Sequence, residues 1–273
     1  MGMYKKETRA LQQVKEAAFI IGLVKQIKEE QPCISVRKLQ VIMKDDLNKQ
    51  GIKIGRDGLF DLLREFSMLV KTRRYRHYRT DSTHHFKKYP NRSQGVIPTA
   101  PNRLWVSDIT YIEGSKGFKY LSLITDAYSR KIVGHCLSET YSAQGTIEAL
   151  KKAFKENRIT DGLIHHSDRG VQYCCKDYTS ILKKKKAVIS MTESGSPYEN
   201  AMAERVNGIL KTELLQKKYH TTEEATKAID KAIAIYNNKR PHLSIEMLTP
   251  QQAHLKKGTL KVMWRKRIVD NAP

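Results

Sequence analysis

HHSDRGVQY at residues 165–173 and SPYENAMAERVNGILKTE at 196–213 decide how this chain is to be read. The first places Asp168 directly after an apolar run, Gly162-Leu163-Ile164. The second sets Glu204 in a strongly helical segment, with thirty-five residues between the two carboxylates. Upstream, LWVSDITYIEG at 104–114 puts a third carboxylate, Asp108, within an alternating strand pattern. Two aspartates on or at the ends of strands and one glutamate on a helix can converge on a pair of divalent cations. Such a pair activates a water or hydroxyl and stabilises the leaving oxygen in phosphoryl transfer. Taken singly, each carboxylate also has a bland reading, as a strand edge, a turn residue or a solvent-facing helix residue. Their joint spacing favours the site.

Working outward, Leu104–Ile112, Phe118–Thr125 and Lys131–Leu137 read as three strands joined by short turns, an antiparallel meander. A helix over 143–156 follows, then a buried strand over 162–166, a helix over 173–184, a strand over 188–192 and a long helix over 199–217. Meandering strands followed by strands alternating with helices describe an α/β mixed sheet flanked by helices, the order of the ribonuclease H-like fold. The Gly- and Ser-bearing segment 193–198 before the last helix is expected to leave Glu204 imperfectly placed until DNA and metal bind.

The N-terminal region has a different period. Apolar residues recur at helical spacing over 11–29, 36–48 and 56–68, with Ser35 as a candidate N-cap and Gly51 as a stop. Three short helices predict a small all-α helix-turn-helix domain over residues 1–80. Its third helix is barely basic, because Asp57, Asp61 and Glu65 offset Arg56 and Arg64. The following run, 71–79, interleaves Arg73, Arg74 and Arg76 with aromatics and suits a phosphate backbone with stacked bases. Proline- and glycine-bearing residues 81–101 read as a linker, 102–255 as the catalytic core with C-terminal helices, and 256–273 as a basic tail. A helix over 223–238 leads to the Lys239-Arg-Pro-His242 turn, where Arg240 is expected to add a DNA contact.

Lys plus Arg number 50 against 28 Asp plus Glu, a formal net charge of +22 and a pI near 9.8. That excess calls for a polyanionic partner. The four cysteines make no C-x-x-C pair and read as reduced thiols of a cytosolic protein. No apolar run approaches a membrane span, and no signal pattern opens the chain.

The motifs W-x-x-D-I-T-Y (105–111), H-S-D-R-G-x-Q-Y (166–173), N-A-x-x-E-R (200–205), L-K-T-E (210–213), Y-N-x-x-R-P-H (236–242) and L-T-P (248–250) together resemble a known family. It is the second-frame (OrfB) transposase of the IS-three group of insertion sequences, within the DDE, retroviral-integrase-like superfamily. The resemblance implies a ribonuclease H-like catalytic core in which Asp108, Asp168 and Glu204 are the catalytic and metal-binding triad. It implies two Mg²⁺ ions, with Mn²⁺ possible, and a DNA contact from Lys211, two helical turns beyond Glu204. Asn200, one turn before Glu204, would orient it. Implied partners are double-stranded DNA (terminal inverted repeats and target), a first-frame (OrfA) product or fusion, and further copies of the chain on DNA. The implied location is cytoplasmic, at the nucleoid. Where the family commonly has Asp-Asn-Ala, this chain has Glu199-Asn-Ala, which makes Glu199 a decoy. Two other functions remain open: a catalytically idle DNA-binding regulator or inhibitor of transposition, and another ribonuclease H-like nuclease. A retroviral integrase proper is disfavoured, since His84-His85 has no cysteine pair in range for zinc.

Overall fold

A computed structural model describes residues 2–70, 84–115, 117–157, 159, 162–193, 200–215 and 218–263. The basic run carrying Arg73, Arg74 and Arg76 lies outside them, as do Glu199 and most of the segment before the last core helix. The chain divides into two compact units. One comprises the N-terminal helices with Thr212–Leu214, the other the rest.

The N-terminal unit holds four helices rather than three: α1 (Gly2–Glu30), α2 (Val36–Ile42), α3 (Lys44–Lys49) and α4 (Arg56–Glu65). The single helix expected over 36–48 breaks at Met43. Leu39, Met43 and Leu47 are all buried. Steps of four residues drift by about 40° each, so a straight helix would turn Leu47 well off the face of Leu39. The break keeps all three against Ile20, Ile21, Val24, Leu59 and Leu63. Gly51 follows α3 with φ +68, a left-handed turn that suits glycine. Two expectations are corrected. The first helix starts near residue 2, not residue 11. Phe66, expected on the inner face, lies beyond the end of α4 and is half exposed.

The second unit is built on a five-stranded sheet of order β3-β2-β1-β4-β5. Its strands are β1 (Leu104–Gly114), β2 (Gly117–Asp126), β3 (Ile132–Ser138), β4 (Ile164–Ser167) and β5 (Val188–Met191). The first three form the expected antiparallel meander, and β4 and β5 run parallel to β1. One face is covered by α5 (Ala143–Glu156) and α7 (Lys176–Lys184) around Trp105, Ile124, Leu150, Tyr178 and Leu182. At Gly134 on β3, an added Cβ would stand 2.4 Å from the Ala149 carbonyl oxygen and 2.7 Å from the Ala153 Cβ. Glycine there lets α5 approach the sheet. On the other face Leu104 and Val106 pack with Ala203 of α8 (Ala201–Ile209). Later come α9 (Thr222–Asn238) and α10 (Pro250–His254), the latter opened by a capping box from Thr249 and Gln252.

Three more corrections concern this unit. The helix expected over 173–184 is split: α6 (Val171–Cys174) ends where Cys175 adopts an extended conformation before α7. The helix expected over 199–217 continues α8 only to Ile209, then widens into a π turn, Leu210–Leu214. The stretch expected as a plain linker is pinned to the core from residue 84 on. His84 Nε2 lies 2.6 Å from the Arg169 carbonyl oxygen, and Arg92 N donates to Ser190 Oγ at 2.8 Å. Ser93 Oγ lies 3.0 Å from His166 Nδ1. Among the described residues no helix is long and apolar enough to cross a membrane.

Candidate active site

The parallel register of β1 and β4 brings the two aspartates together. Leu104 pairs with Ile164, Trp105 with His165 and Val106 with His166. Both strands then run on toward an aspartate two residues past the last pair, and the charge of Asp168 acts on Asp108. The carboxyl ends of parallel strands are where open α/β sheets hold their ligands. Asp168 has just left β4, and its Oδ1 accepts from Gly170 N at 2.9 Å, which turns the backbone away from the sheet.

Even-numbered β1 residues point at α8, as the packing of Leu104 and Val106 on Ala203 shows. Asp108 shares that parity. On α8 the stripe Asn200, Glu204, Asn207 and Lys211 recurs at intervals of four, three and four residues, one helical face. Asn207 Nδ2 donates to Asp108 Oδ2 at 2.7 Å, and Asn200 Nδ2 donates to the Ser107 carbonyl oxygen at 3.1 Å. Asn200 therefore fixes the start of α8 to β1, and its carbonyl oxygen accepts from Glu204 N at 3.2 Å. Glu204 is exposed at the mouth of the site.

Burial, then the charge of Asp168, then that of Glu204 push the Asp108 carboxyl up to about 8, only partly offset by the Asn207 amide. Burial lowers the Lys211 ammonium, and Asp108 acts on it in the opposite sense. The triad and Lys211 thus form one electrostatic cluster. Among the described residues no three His, Cys, Asp or Glu side chains stand in a group ready to hold a metal ion. A buried Asp108 carboxyl under the charges of Asp168 and Glu204 still fits a divalent cation, and the all-oxygen donor set suits Mg²⁺ or Mn²⁺.

The two histidines of the motif are supports. His165 Nε2 lies 2.8 Å from Ser107 Oγ and 3.0 Å from Tyr178 OH, beneath the strand that carries Asp108. Burial, with His166 next, holds its imidazole down to about 3, so it stays neutral. His166 Nδ1 lies 2.8 Å from Ser190 Oγ and ties β4 to β5.

Arg240 is corrected. It is 3% exposed, with its guanidinium 3.0 Å from His242 Nε2, and so has no surface to offer DNA. The Y-N-x-x-R-P-H motif is a clamp. Asn237 Oδ1 accepts from Ile132 N, and Asn237 Nδ2 donates to Ile132 O, both at 3.0 Å. These bonds dock α9 on β3 as a strand would. Sequence reasoning missed Asn207, although its place three residues after Glu204 on the same face was a readable signal.

A mixed sheet with one aspartate within its central strand, a second just past the neighbouring strand and a glutamate on the facing helix defines an integrase-type catalytic core. An integrase core domain family matches residues 98–197, and a second integrase core family matches 185–250. The chain is 37% identical, over 78% of each chain, to an uncharacterized 31 kDa protein of insertion element IS600 from Shigella sonnei. It is 33% identical to the transposase of insertion element IS904 from Lactococcus lactis, over 75% of this chain and 82% of that one. The simian T-cell lymphotropic virus intasome contains a chain of the same fold, with a TM-score of 0.52 and 18% identity. That likeness covers 86% of this chain and 79% of the viral one. The protein belongs to the insertion-sequence transposases, enzymes of the DDE transposase and integrase superfamily.

Proposed function

We propose that this chain cuts and joins DNA strands at the ends of an insertion sequence by a two-metal DDE mechanism. The observation that carries this reading is the shared register of Asp108 and Asp168 opposite the Glu204 face of α8. Those three carboxylates would hold Mg²⁺ or Mn²⁺, which supplies charge neutralisation and Lewis acidity at the scissile phosphate. The protein's own part is positional. Asn207 fixes the Asp108 carboxylate, the Asp168 turn fixes its neighbour, and Asn200 anchors the helix that carries Glu204. The attacking oxygen belongs to water in cleavage and to a 3′-hydroxyl in strand transfer. It gives up its proton and forms a new P–O bond as the bond to the leaving 3′-oxygen breaks, and that oxygen takes up a proton.

The polyanion that the net charge of +22 calls for is double-stranded DNA, both terminal repeat and target. Lys211, on the carboxylate stripe, is assigned to the transposon end. The basic run with Arg73, Arg74 and Arg76, together with the N-terminal helical unit, is assigned to flanking DNA. In α4, Arg56 and Arg64 are paired with Asp57 and Asp61 of the same helix, at 2.7 and 2.6 Å, which argues against base reading by that helix. On this reading the chain acts on chromosomal DNA, in the cytoplasm at the nucleoid, with further copies of itself and a first-frame product as partners.

The test is Mg²⁺-dependent nicking of a labelled duplex carrying the element's terminal repeat, with wild type beside Glu204→Gln. Cleavage by wild type alone supports the reading. Equal cleavage by both, or binding with cleavage by neither, overturns it, the latter in favour of a regulator.

A further inference from the structure

Past Asp108, β1 outruns its parallel neighbour: β4 ends at Ser167, while β1 continues to Gly114. Aromatic side chains gather on this overhang. Tyr111 pairs across the sheet with Tyr120, their ring centroids 5.4 Å apart, and Phe118 lies 6.0 Å from Tyr111. Tyr141, in the loop after β3, stacks on Tyr111 at 6.1 Å and 21° and lies 5.1 Å from Tyr120. Phe118 is 49% exposed, and the three tyrosines are partly exposed. Tyr111 is three residues beyond Asp108, about 10 Å along the strand and on the other face of β1, at the end that β4 no longer flanks, where the charge of Asp108 still acts on it.

The cluster is joined to the Asp168 turn. Gln172 Nε2 donates to the Tyr141 carbonyl oxygen at 3.2 Å. Gln172 and Tyr173 are each 2% exposed, yet Gln172 Oε1 and the Tyr173 hydroxyl have no hydrogen-bond partner. Buried polar atoms are nearly always paired, so two orphans beside one turn mark a place where a ligand supplies the partner. Tyr173 feels the charges of Asp108 and Asp168 and lies within electrostatic reach of Tyr141, so the orphans and the aromatic cluster belong to one neighbourhood.

The cations that the carboxylates would hold, with Lys211, act on the phosphates of a strand entering this site. An unpaired base there needs groups of its own. Aromatic rings supply them without regard to sequence, since every base has a π-face. We propose that Tyr111, Phe118, Tyr120 and Tyr141 form a stacking platform for an unpaired nucleobase of the strand where it runs past the Asp168 turn, beyond the reacting phosphodiester. This proposal rests on the DNA-cleaving role above.

The test uses the full chain without metal and a duplex whose 3′ end carries two unpaired nucleotides, one of them 2-aminopurine. Stacking quenches its fluorescence. Wild type and Tyr141→Phe are expected to quench it, whereas Tyr141→Leu does not and binds the unpaired end on the order of tenfold more weakly. Affinity for a blunt duplex stays unchanged. Phe118→Leu carries the same test from an exposed position should Tyr141→Leu fail to fold. Quenching by the leucine variants equal to wild type overturns the platform alone, as does an equal loss of affinity for both duplexes. A shift in sedimentation without a change in quenching overturns it in favour of an interface between copies. Failure of wild type to bind either duplex overturns the platform together with the DNA-cleaving role.

Discussion

Asn207 donates its amide to Asp108 at 2.7 Å from a helix position three residues beyond Glu204. This one bond orients a carboxylate on the sheet from the helix that carries the third. Removing it by Asn207→Ala leaves Asp108, under the charges of Asp168 and Glu204, with only the Ile109 backbone N–H to hold it. The expected outcome is a 10- to 100-fold rise in the Mg²⁺ concentration needed for half-maximal nicking, since residues that orient metal ligands typically contribute about that much. The melting temperature should fall only slightly. A purely structural role would lower stability and leave the metal dependence unchanged.

Asp108 also sets a pH dependence. Its folded carboxyl titrates near 8 against 3.8 for an ordinary aspartate, because it is buried and sits beside Asp168 and Glu204, with Lys211 the nearby cation. Between those values the metal-free folded protein keeps a proton that the unfolded chain releases. Its contribution to stability is therefore complete below about pH 4 and lost as pH rises through about 8. Urea unfolding in EDTA should show the Asp108→Asn variant gaining stability over wild type as pH rises from 5 to 8. Binding of Mg²⁺ requires the deprotonated carboxylate, so its affinity should rise over the same range.

Legibility followed locality. Period-2 and period-3.6 patterns were enough for the meander, α5 and α9, whereas the strand order and the parallel register that brings Asp108 toward Asp168 came only with the fold. Breaks inside helices were not legible at Met43, Cys175 and Ile209, because tertiary packing imposes them without proline or glycine. The reading of Arg240 failed for a related reason. A basic residue in a Pro-His turn looks solvent-bound, and only the fold shows it buried against His242.

Gly134 offers a test of the α5 contact that supports the site from behind. A methyl group there would meet the Ala149 carbonyl and the Ala153 side chain well inside contact distance, and both belong to a packed helix. Gly134→Ala should destabilise the core by about 1–3 kcal/mol, as overpacking does. Thermal unfolding would read this as a lower melting temperature. An unchanged value would show that α5 can move away from β3 at no cost.

Arg240 separates structural from DNA-binding basic residues. Its side chain is buried beside His242, whose ring meets Tyr236 edge-on at 4.9 Å. Arg240→Ala would empty that space and strip His242 of its neighbour, at a cost of about 1–3 kcal/mol. Melting should come earlier, while DNA affinity per folded molecule, measured well below the transition, stays within twofold of wild type. Lys211→Ala should give the reverse: lower DNA affinity with a weaker salt dependence, and a nearly unchanged melting temperature. If Arg240→Ala instead lost DNA affinity and its salt slope while melting normally, the turn would have to open on DNA, and the clamp reading of the motif would fall.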